Sequence, residues 1–254
     1  MNYAFAGDRK ISCNILKFLK GKGYEPSALF IGNSMTSSHS SELKLISGLD
    51  EKYIFEGNDF RKPENIKVLI DMELDYIFGI HFPYIIPKTV LEIPSIGFLN
   101  LHPAYLPFNK GWHTPTWAIL DGTPYGATLH FMSEALDEGD IIHQKELVVS
   151  LNDTANSLYK KVLKLEEEVF YEAFEGISKK QPTRIPQRGT GSSHNKKDLE
   201  QIQQIDIDQV VNPLDLINKL RALTTNKNSE LAYFNLNGKQ VGIKIELIEM
   251  NKQS

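Results

Sequence analysis

The chain has a single cysteine, no long apolar run and no excess of positive charge. Among its 254 residues only Cys13 carries a thiol, which excludes a disulfide framework and favours a reducing compartment. No apolar run approaches the roughly 20 residues that a membrane span needs. The first residues, MNYAFAGDRK, also lack the basic and apolar regions of a signal peptide. We therefore expect a cytoplasmic protein.

The charge balance excludes another class of protein. A formal net charge of -4 argues against a general nucleic-acid binder, although a local basic patch is compatible with it. A content of 41% hydrophobic and 24% charged residues is typical of an ordinary globular protein. The length suits one large α/β domain with an appendage, or two domains. The seven histidines show no spacing with Cys, Asp or Glu that indicates a metal site.

Strand and helix patterns alternate through the first half of the chain. Strand patterns occur in YAFAG, SALFIG, YIFGI and FLNLH, with helical patterns in ISCNILKFLK and PENIKVLIDMELD between them. Two further strands, YGATLHFM and DIIHQKELVV, precede a long amphipathic helix that begins near Asp153 or Thr154. The alternation predicts an α/β fold with a Rossmann-like, mostly parallel sheet.

The composition changes after the long helix. Residues 178–198 are polar, basic and rich in glycine, proline and serine, which indicates a loop leading out of the main domain. Beyond it, PLDLINKLRAL predicts a helix, and Asn237-Gly238 between alternating apolar runs predicts a β-hairpin. We expect a main domain over 1–180, a linker over 181–198 and a small helix and hairpin region over 199–254.

Two polar side chains interrupt the apolar strand FLNLH. Asn100 and His102 are two residues apart, so both point to one face of the strand where it ends. In an open parallel sheet, ligands bind beyond the carboxyl ends of the strands. The pair is therefore either a hydrogen-bonded part of the core or part of a catalytic site.

An acidic loop, SEALDEGDII, follows later between two strands. It is either a solvated turn or a source of one carboxylate that faces a histidine across a cleft. A carboxylate in that place can hold the imidazole tautomer for proton transfer, and a neighbouring amide can donate to an oxygen that gains negative charge. No serine or cysteine nucleophile stands beside these residues, so the pattern favours direct acyl transfer to an amine.

These two motifs together resemble the formyltetrahydrofolate-dependent formyltransferase family. Its signature is an Asn-x-His-Pro strand end followed by an aspartate in a Leu-Asp-x-Gly-Asp type loop. Asn100, His102, Pro103 and Asp137 fill those positions, and Gly139 and Asp140 match the rest of the loop. The resemblance covers roughly residues 1–147, and two motifs at the right separation are more specific than either alone.

The resemblance implies a role for each residue. Asn100 would stabilise the oxyanion, His102 would polarise the formyl group, and Asp137 would help to take the proton from the attacking amine. The pterin of 10-formyltetrahydrofolate, the implied co-substrate, would lie against the HFPYIIP loop and the loop of Asp137. The implied cofactor-binding residues are Phe82, Tyr84, Ile85, Ile86, Asp137 and Asp140. Plain loop packing is the other interpretation of Phe82, Tyr84 and Ile86.

Three branches of this family differ in the amine that they formylate. Residues 194–254 contain eight Lys or Arg and eight Asp or Glu, whereas methionyl-tRNA formyltransferases carry a longer, basic C-terminal domain. The first strand leads into GDRKISCN with one glycine, so the phosphate loop of glycinamide ribonucleotide transformylases is missing. The third branch, the nucleotide-linked amino-sugar N-formyltransferases, resembles this chain best. It implies a dTDP-linked 3- or 4-amino sugar, GDP and UDP being alternatives, for a surface polysaccharide such as the O-antigen of lipopolysaccharide.

In that branch the C-terminal region pairs two subunits and helps to bind the nucleotide. The implied substrate-binding residues are Arg9, Lys10, Trp112, His113 and Tyr233. Charges on a helix surface such as Arg9 and Lys10 are more often merely solvated. Packing is the alternative for Tyr233 and for Trp117, which lies in the helix predicted to begin near Pro115. We expect a homodimer formed through the hairpin. The alternatives in function are a formyltetrahydrofolate hydrolase, although this chain starts at once with the first strand of the fold, a methionyl-tRNA formyltransferase-like enzyme, and a non-catalytic binding module.

Overall fold

A computed structural model describes residues 1–33 and 37–250, and within them the chain forms two compact units. The first unit combines Met1–His102, Thr128–Gln144 and Glu166–Gln187. The second combines the intervening segments with the C-terminal part of the chain. The domain bounds that the sequence predicts, 1–180, 181–198 and 199–254, stay predictions, and the last four residues of the third lie outside the described residues.

Strands and helices alternate in the first half of the chain, over the described residues, as the sequence predicts. The strands are β1 (Tyr3–Gly7), β2 (Ala28–Ile31), β3 (Ile54–Glu56), β4 (Tyr76–Ile80), β5 (Gly97–His102), β6 (Lys110–Gly111), β7 (Gly126–Phe131), β8 (Ile141–Glu146), β9 (Ser193–His194), β10 (Ala232–Leu236) and β11 (Lys239–Ile243). The helices are α1 (Arg9–Gly21), α2 (Ser40–Ser47), α3 (Pro63–Asp71), α4 (Lys88–Leu91), α5 (Thr114–Asp121), α6 (Ala155–Ser178), α7 (Asp198–Ile202) and α8 (Pro213–Ala222).

Within the described part of the chain, seven strands form one sheet in the order β3-β2-β1-β4-β5-β7-β8. The pairs from β3 to β5 are parallel, and β5 pairs with β7 in the antiparallel sense. Every residue of β1, β2 and β4 is buried, which explains their continuous apolar sequences, because both faces of a parallel sheet are covered. The predicted α/β fold with a mostly parallel sheet is confirmed.

The parallel strands bring several chain turns to one edge of this sheet. β1 ends at Gly7, β4 at Ile80 and β5 at His102, and the register pairs Ile80 with Leu101. In such a sheet this edge is the usual place for a ligand. The polar residues at the end of β5 therefore lie where the fold favours a functional site.

The second unit contains the predicted hairpin. β10 pairs with β11 in the antiparallel sense, and the turn between them has φ of 51° at Asn237 and 70° at Gly238. Two successive positive φ values are what a type I′ turn requires, and asparagine and glycine tolerate them best. A small core beside the hairpin includes Leu199, Leu223 and Ala232, each almost completely buried. The small C-terminal hairpin region is confirmed.

No helix in residues 1–33 and 37–250 has both the length and the apolar character that a membrane span demands. The longest helix, α6, has 24 residues, but it is amphipathic and carries charges along its length.

Candidate active site

The residues predicted to be catalytic come together in the first unit. Asn100 and His102 lie at the carboxyl end of β5, and Asp137 lies in the loop between β7 and β8. The side chains of His102 and Asp137 are each only 8% exposed. His130 of β7 joins them, because its Cα is the direct cross-strand partner of Asn100.

The carboxylate of Asp137 lies between two histidines. Its Oδ2 is 3.6 Å from Nε2 of His102, and its Oδ1 is 3.6 Å from Nε2 of His130. Oδ1 also accepts a long hydrogen bond of 3.4 Å from Nδ2 of Asn100. The 3.6 Å separations exceed hydrogen-bond length, and catalytic contacts of this kind commonly shorten only when substrate is bound.

The hydrogen bonds of His130 determine its tautomer. Nδ1 lies 2.8 Å from the carbonyl oxygen of Phe131, which can only accept, so Nδ1 carries the proton. Nε2 then has a free lone pair and accepts from Nδ2 of Asn100 at 3.2 Å. His130 is 1% exposed, so no water competes strongly for this contact. His130 therefore fixes which way the amide of Asn100 faces.

The other end of the Asn100 amide faces the neighbouring strand. A side chain built on Gly79 of β4 would lie 3.6 Å from Oδ1 of Asn100 and only 2.8 Å from the ring of Phe98. Glycine at this point of a buried strand leaves room for both. Nδ2 of Asn100 is thus directed towards His130 and Asp137, and the longer of its two contacts is the one that a substrate oxygen can replace.

The loop of Asp137 is held in a specific conformation by groups far away in sequence. Asp137 has φ of 54°, a left-handed conformation that non-glycine residues adopt uncommonly. A Cβ on Gly139 would lie 1.8 Å from the carbonyl oxygen of Phe131, so only glycine fits there. Nε2 of Gln187 donates to the carbonyl oxygens of Asp137 (2.8 Å) and Gly139 (2.9 Å). Gln187 therefore ties together both ends of the turn that presents the carboxylate.

We expect Gln187→Ala to lower kcat by about 10- to 100-fold, since displacing a reacting group by about 1 Å lowers the rate by about this factor. The KM values of the two substrates that the resemblance implies should change little. The exposed Gln181, close in sequence, provides the matched control as Gln181→Ala. Steady-state kinetics and hydrogen exchange of residues 133–140 measure the effect. An unchanged kcat with unchanged exchange in this loop would show that the two hydrogen bonds do not position Asp137.

The residues predicted to contact the pterin lie directly after β4. Phe82 packs between Phe30 and Phe60, with ring centroids 6.3 and 5.5 Å away, and its ring is 5.2 Å from that of Tyr84. Ile86 is buried, whereas Ile85 is 84% exposed. The aromatic side chains thus pack against the core cluster, so the segment 82–86 can offer a ligand its backbone and the exposed side chain of Ile85. Its contact with the pterin stays a prediction.

Asp140 ends the same acidic loop, where β8 begins. Its carbonyl oxygen accepts from the amide of Phe131, and its carboxylate is 3.8 Å from the guanidinium of Arg184. Arg184 also lies over the ring of Phe131, 3.5 Å from the centroid, and donates to the carbonyl oxygen of Ile96 at 2.9 Å. Asp140 thus contributes to the packing of the loop; its predicted contact with folate stays a prediction.

Arg9 and Lys10 are exposed at the start of α1. The ammonium of Lys10 is 2.7 Å from Glu42, which also pairs with Lys17 at 3.0 Å. The hydrogen bonds from these two ammonium groups lower the pKa of Glu42 to about 2. Lys10 is therefore already ion-paired with a carboxylate. The contact of Arg9 and Lys10 with a pyrophosphate stays a prediction.

The remaining predicted substrate residues belong to the second unit. Trp112 is 50% exposed, with the ammonium of Lys196 5.4 Å from its ring centroid. His113 has φ of 56°, and burial lowers the pKa of its imidazole below the ordinary value, against an opposing effect of Glu230. Tyr233 is half-buried in β10, where its amide and carbonyl bond to the segment that follows α7. Trp112 is thus the one with a broad exposed ring.

Trp117 has a different environment from Trp112. It is 8% exposed and stacked on His194, with ring centroids 3.9 Å apart and an angle of 4° between the planes. Nε2 of His194 is in turn 2.9 Å from a carboxylate oxygen of Asp121. These contacts favour the packing interpretation of Trp117.

Two residues of the site were not expected from the sequence. His130 had a usable signal, because it alternates with apolar residues in the buried strand GATLHF, as Asn100 and His102 do in theirs. Gln187 had none, because its partners are 48 and 50 residues away. In the described residues, no group of three or more His, Cys, Asp or Glu side chains is placed to hold a metal ion.

Two family profiles match the chain. Residues 28–174 match the family described as Formyl transferase. Residues 198–249 match the N-formyltransferase dimerization C-terminal domain. The first match spans more than half of the chain and includes Asn100, His102, His130 and Asp137.

Similar proteins carry related names. The dTDP-4-amino-4,6-dideoxyglucose formyltransferase of Mycobacterium bovis is 28% identical over 173 residues, which are 68% of this chain and 73% of the relative. The methionyl-tRNA formyltransferase of Prochlorococcus marinus is 28% identical over 259 residues, which cover 96% of this chain and 78% of the relative.

Solved structures give the same result. A 4-N formyltransferase from Francisella tularensis has a TM-score of 0.82 and 27% identity, with 98% of each chain covered. The formyltransferase PseJ from Anoxybacillus kamchatkensis, solved with UDP-4,6-dideoxy-4-formamido-L-AltNAc and tetrahydrofolate, has a TM-score of 0.58 and 25% identity, with 87% of this chain and 97% of the other covered. With the matched profile and the polar cluster at the end of β5, these likenesses establish that the chain belongs to the formyl transferase family and is a formyltransferase.

Proposed function

We propose that the protein transfers the formyl group of 10-formyltetrahydrofolate to the amine of a nucleotide-linked amino-dideoxy sugar. The observation that supports this most strongly is the placement of one carboxylate, Asp137, against His102 and Asn100 at the end of β5. An amide donor, an imidazole and a carboxylate within one cluster are the groups that acyl transfer to an amine requires. The relative from Mycobacterium bovis is named for a reaction of this kind.

Asp137 and His102 handle the protons in this reaction. When the amine nitrogen bonds to the formyl carbon, it becomes positively charged and must lose a proton. Asp137 accepts that proton, directly or through a water molecule, while His102 donates a hydrogen bond to the formyl oxygen. The proton then passes to N10 of the folate as the bond between N10 and the formyl carbon breaks. No oxidant, reductant or metal enters this balance.

Asn100 stabilises the negative charge that develops on the formyl oxygen. One of its N–H groups is engaged by Nε2 of His130, and the other makes the weaker contact of 3.4 Å to Asp137. The weaker contact leaves this N–H group available to the oxyanion, while the contact with His130 keeps the amide in place. A donor held in place before the reaction stabilises the transition state more than one that must reorganise.

Direct transfer agrees with the surroundings of the site. The single cysteine, Cys13, is buried in α1, and burial raises the pKa of its thiol to about 11. A thiol of this kind stays protonated at neutral pH and is a poor nucleophile. Cys13 is therefore not expected to form a covalent formyl-enzyme.

The proposed folate site consists of the backbone of residues 82–86 together with the loop that ends at Asp140. A flat heteroaromatic ring suits an apolar slot with a few backbone donors and acceptors. The backbone of this segment lies at the carboxyl end of β4, beside the strand that carries Asn100 and His102. The neighbour PseJ, solved with tetrahydrofolate, supports the choice of co-substrate.

The proposed acceptor is a dTDP-linked 3- or 4-amino sugar, in line with the Mycobacterium bovis relative. Trp112, with its exposed ring and the nearby ammonium of Lys196, offers a stacking surface beside a positive charge. Arg9, Lys10, His113 and Tyr233 are the further proposed contacts. A product of this kind would serve a surface polysaccharide such as the O-antigen, and the single buried cysteine fits synthesis in the cytoplasm.

A panel of acceptors tests the function. Purified protein is incubated with 10-formyltetrahydrofolate and, separately, with dTDP-, GDP- and UDP-linked amino sugars, methionyl-tRNA, or no acceptor. Mass spectrometry of each acceptor should show a gain of one formyl group on a dTDP-linked amino sugar. Formylated methionyl-tRNA, or formate released without any acceptor, would instead identify one of the alternative activities. Folate binding without either product would identify a binding module.

We also propose that two copies of the chain associate through the C-terminal hairpin. The hairpin offers apolar side chains on both strands, with Leu236 49% and Val241 41% exposed, and a two-stranded hairpin is marginal without cover. The matched profile over residues 198–249 is described as a dimerization domain.

We expect light scattering to show a dimer at micromolar concentration and Val241→Glu to convert it to a monomer, because a charge would be buried in the interface. Leu45→Glu, at an 84% exposed position on α2 of the first unit, should leave the dimer intact. A clean monomer of the unmodified protein at this concentration would rule out the interface.

A further inference from the structure

A buried histidine–glutamate pair lies just beyond β4 and takes no part in the chemistry described above. Nε2 of His81 is 2.9 Å from Oε1 and 3.0 Å from Oε2 of Glu166, on α6. The side chains are 7% and 0% exposed. Because the carboxylate can only accept, the ring N–H donates to it.

Stability alone does not account for this pair. Removing a carboxylate from water is costly, and replacing a buried ion pair by apolar side chains is often neutral or stabilising. Position 166 lies in the middle of a 24-residue amphipathic helix, where an apolar residue would pack equally well. The pair therefore fits a role in holding a neighbouring part of the chain in place better than a role in stability alone.

His81 turns the chain at the sheet edge. Its φ is 52°, a left-handed conformation at a non-glycine residue directly after β4. Such a conformation persists only where the surroundings enforce it, and it occurs most often near functional sites. The register that pairs Ile80 with Leu101 places His81 level with His102, at the end of the strand that carries the catalytic residues.

The segment that His81 introduces is the proposed folate-binding segment, residues 82–86. Further along, the segment is held by packing of Phe82 and Tyr84 in the aromatic cluster and by the hydroxyl of Tyr84, which accepts from the amide of Asn33 at 3.2 Å. At its start, the hydrogen bond to Glu166 holds the ring of His81 and with it the left-handed turn. Both ends of the segment are thus fixed before any ligand binds.

We propose that His81 and Glu166 are positioning residues that set the backbone of residues 82–86 for the pteridine of the co-substrate. This rests on the proposed function, since it assigns the role through the folate site. The pair touches neither reacting group, so its loss should weaken folate binding and leave the chemical step and the acceptor site largely intact.

A second histidine–glutamate pair on the same helix provides the control. Nε2 of His143 is 2.8 Å from Oε2 of Glu172, six residues along α6 from Glu166. These side chains are 36% and 49% exposed. Neither His143 nor Glu172 adjoins residues 82–86 in the chain. The same substitutions at His143 and Glu172 therefore measure the general effect of losing a histidine–glutamate pair.

The test compares His81→Asn with His143→Asn. Asparagine tolerates a left-handed φ but is too short to reach Glu166. We expect His81→Asn to raise KM for 10-formyltetrahydrofolate and Kd for tetrahydrofolate by about 10- to 100-fold, with kcat and the acceptor KM within about threefold, the size expected when binding groups shift by about 1 Å. His81→Gln, whose amide can still donate to Glu166, should raise KM and Kd less than His81→Asn does. His143→Asn should leave both constants unchanged.

Calorimetry with tetrahydrofolate requires no acceptor, so it separates this inference from the proposed function. Wild-type protein that binds tetrahydrofolate but formylates no amino sugar would disprove the function and leave the positioning role open to measurement by Kd. If His81→Asn does not fold, Glu166→Leu, which has no acceptor for the ring N–H of His81, is compared with Glu172→Leu instead. An unchanged Kd in the folded variant, or a fall in Tm and kcat together at constant Kd, overturns the positioning role.

Discussion

Replacing Asp137 by asparagine is expected to lower formyl transfer by about 100- to 10,000-fold, the contribution of a positioned general base. The amide cannot take the proton that the attacking amine must lose, and it removes the negative charge that faces His102 at 3.6 Å. Asn is the sharper substitution here, because it tolerates the φ of 54° that Ala would adopt only with strain. His102→Ala should cause a loss of similar size.

The measurement is the single-turnover rate with the acceptor and folate both saturating. Asp137→Ala should also abolish most transfer, but part of its effect would come from the backbone of the loop. Asp121→Asn is a suitable control, because Asp121 also contacts a histidine, His194, at 2.9 Å, yet lies outside the cluster around Asn100. Turnover of Asp137→Asn within about tenfold of wild type would exclude Asp137 as the base.

The regular part of the fold follows from local patterns in the sequence. The strands YAFAG and YIFGI are buried along their whole length, as their apolar runs predict, and the structure assigns both over the same residues, Tyr3–Gly7 and Tyr76–Ile80. The hairpin also depends on neighbours in sequence, because Asn237 and Gly238 supply the two positive φ values of its turn. In each case the information lies within about ten residues.

The stretch between β2 and α3 shows where local patterns stop being sufficient. The sequence suggested no element there, whereas the structure has α2 (Ser40–Ser47) and the short strand β3 (Ile54–Glu56). The helix has only eight residues, two of which are buried, so its apolar periodicity is too weak to detect. The strand has three residues and exists through pairing with β2.

The site shows the same division. Asn100 and His102 could be found because polar residues at alternate positions of a buried strand are unusual, and Asp137 because its loop completes a second motif. The orientation of the Asn100 amide and the support from Gln187 depend on contacts between residues 30 to 50 positions apart. No periodicity in the sequence encodes such contacts, because they form only when the chain is folded.

Asn100→Ala should lower the single-turnover rate by about 100- to 1000-fold, the loss expected when one donor to an oxyanion is removed. The two polar side chains of β5 share a face because both must reach one formyl group at the end of the strand. Removing the amide also leaves Nε2 of His130 without its donor at 3.2 Å, so a modest loss of stability should accompany the loss of rate.

A purely structural role for Asn100 predicts a different relation between rate and stability. A buried amide that only satisfies its neighbours would cost about 1–3 kcal/mol on removal, and activity would fall only as folded protein is lost. Asn109 provides that reference, since it is 1% exposed and its Nδ2 donates to Thr123 and Pro124 at 2.9 and 3.3 Å. Thermal melts and single-turnover rates should therefore distinguish the two variants. Asn109→Ala should have a lower Tm with near-normal turnover per folded molecule. Asn100→Ala should have a modestly lower Tm with turnover per folded molecule reduced about 100-fold or more. If both variants follow the first pattern, Asn100 is a structural residue and the oxyanion must be stabilised by another group.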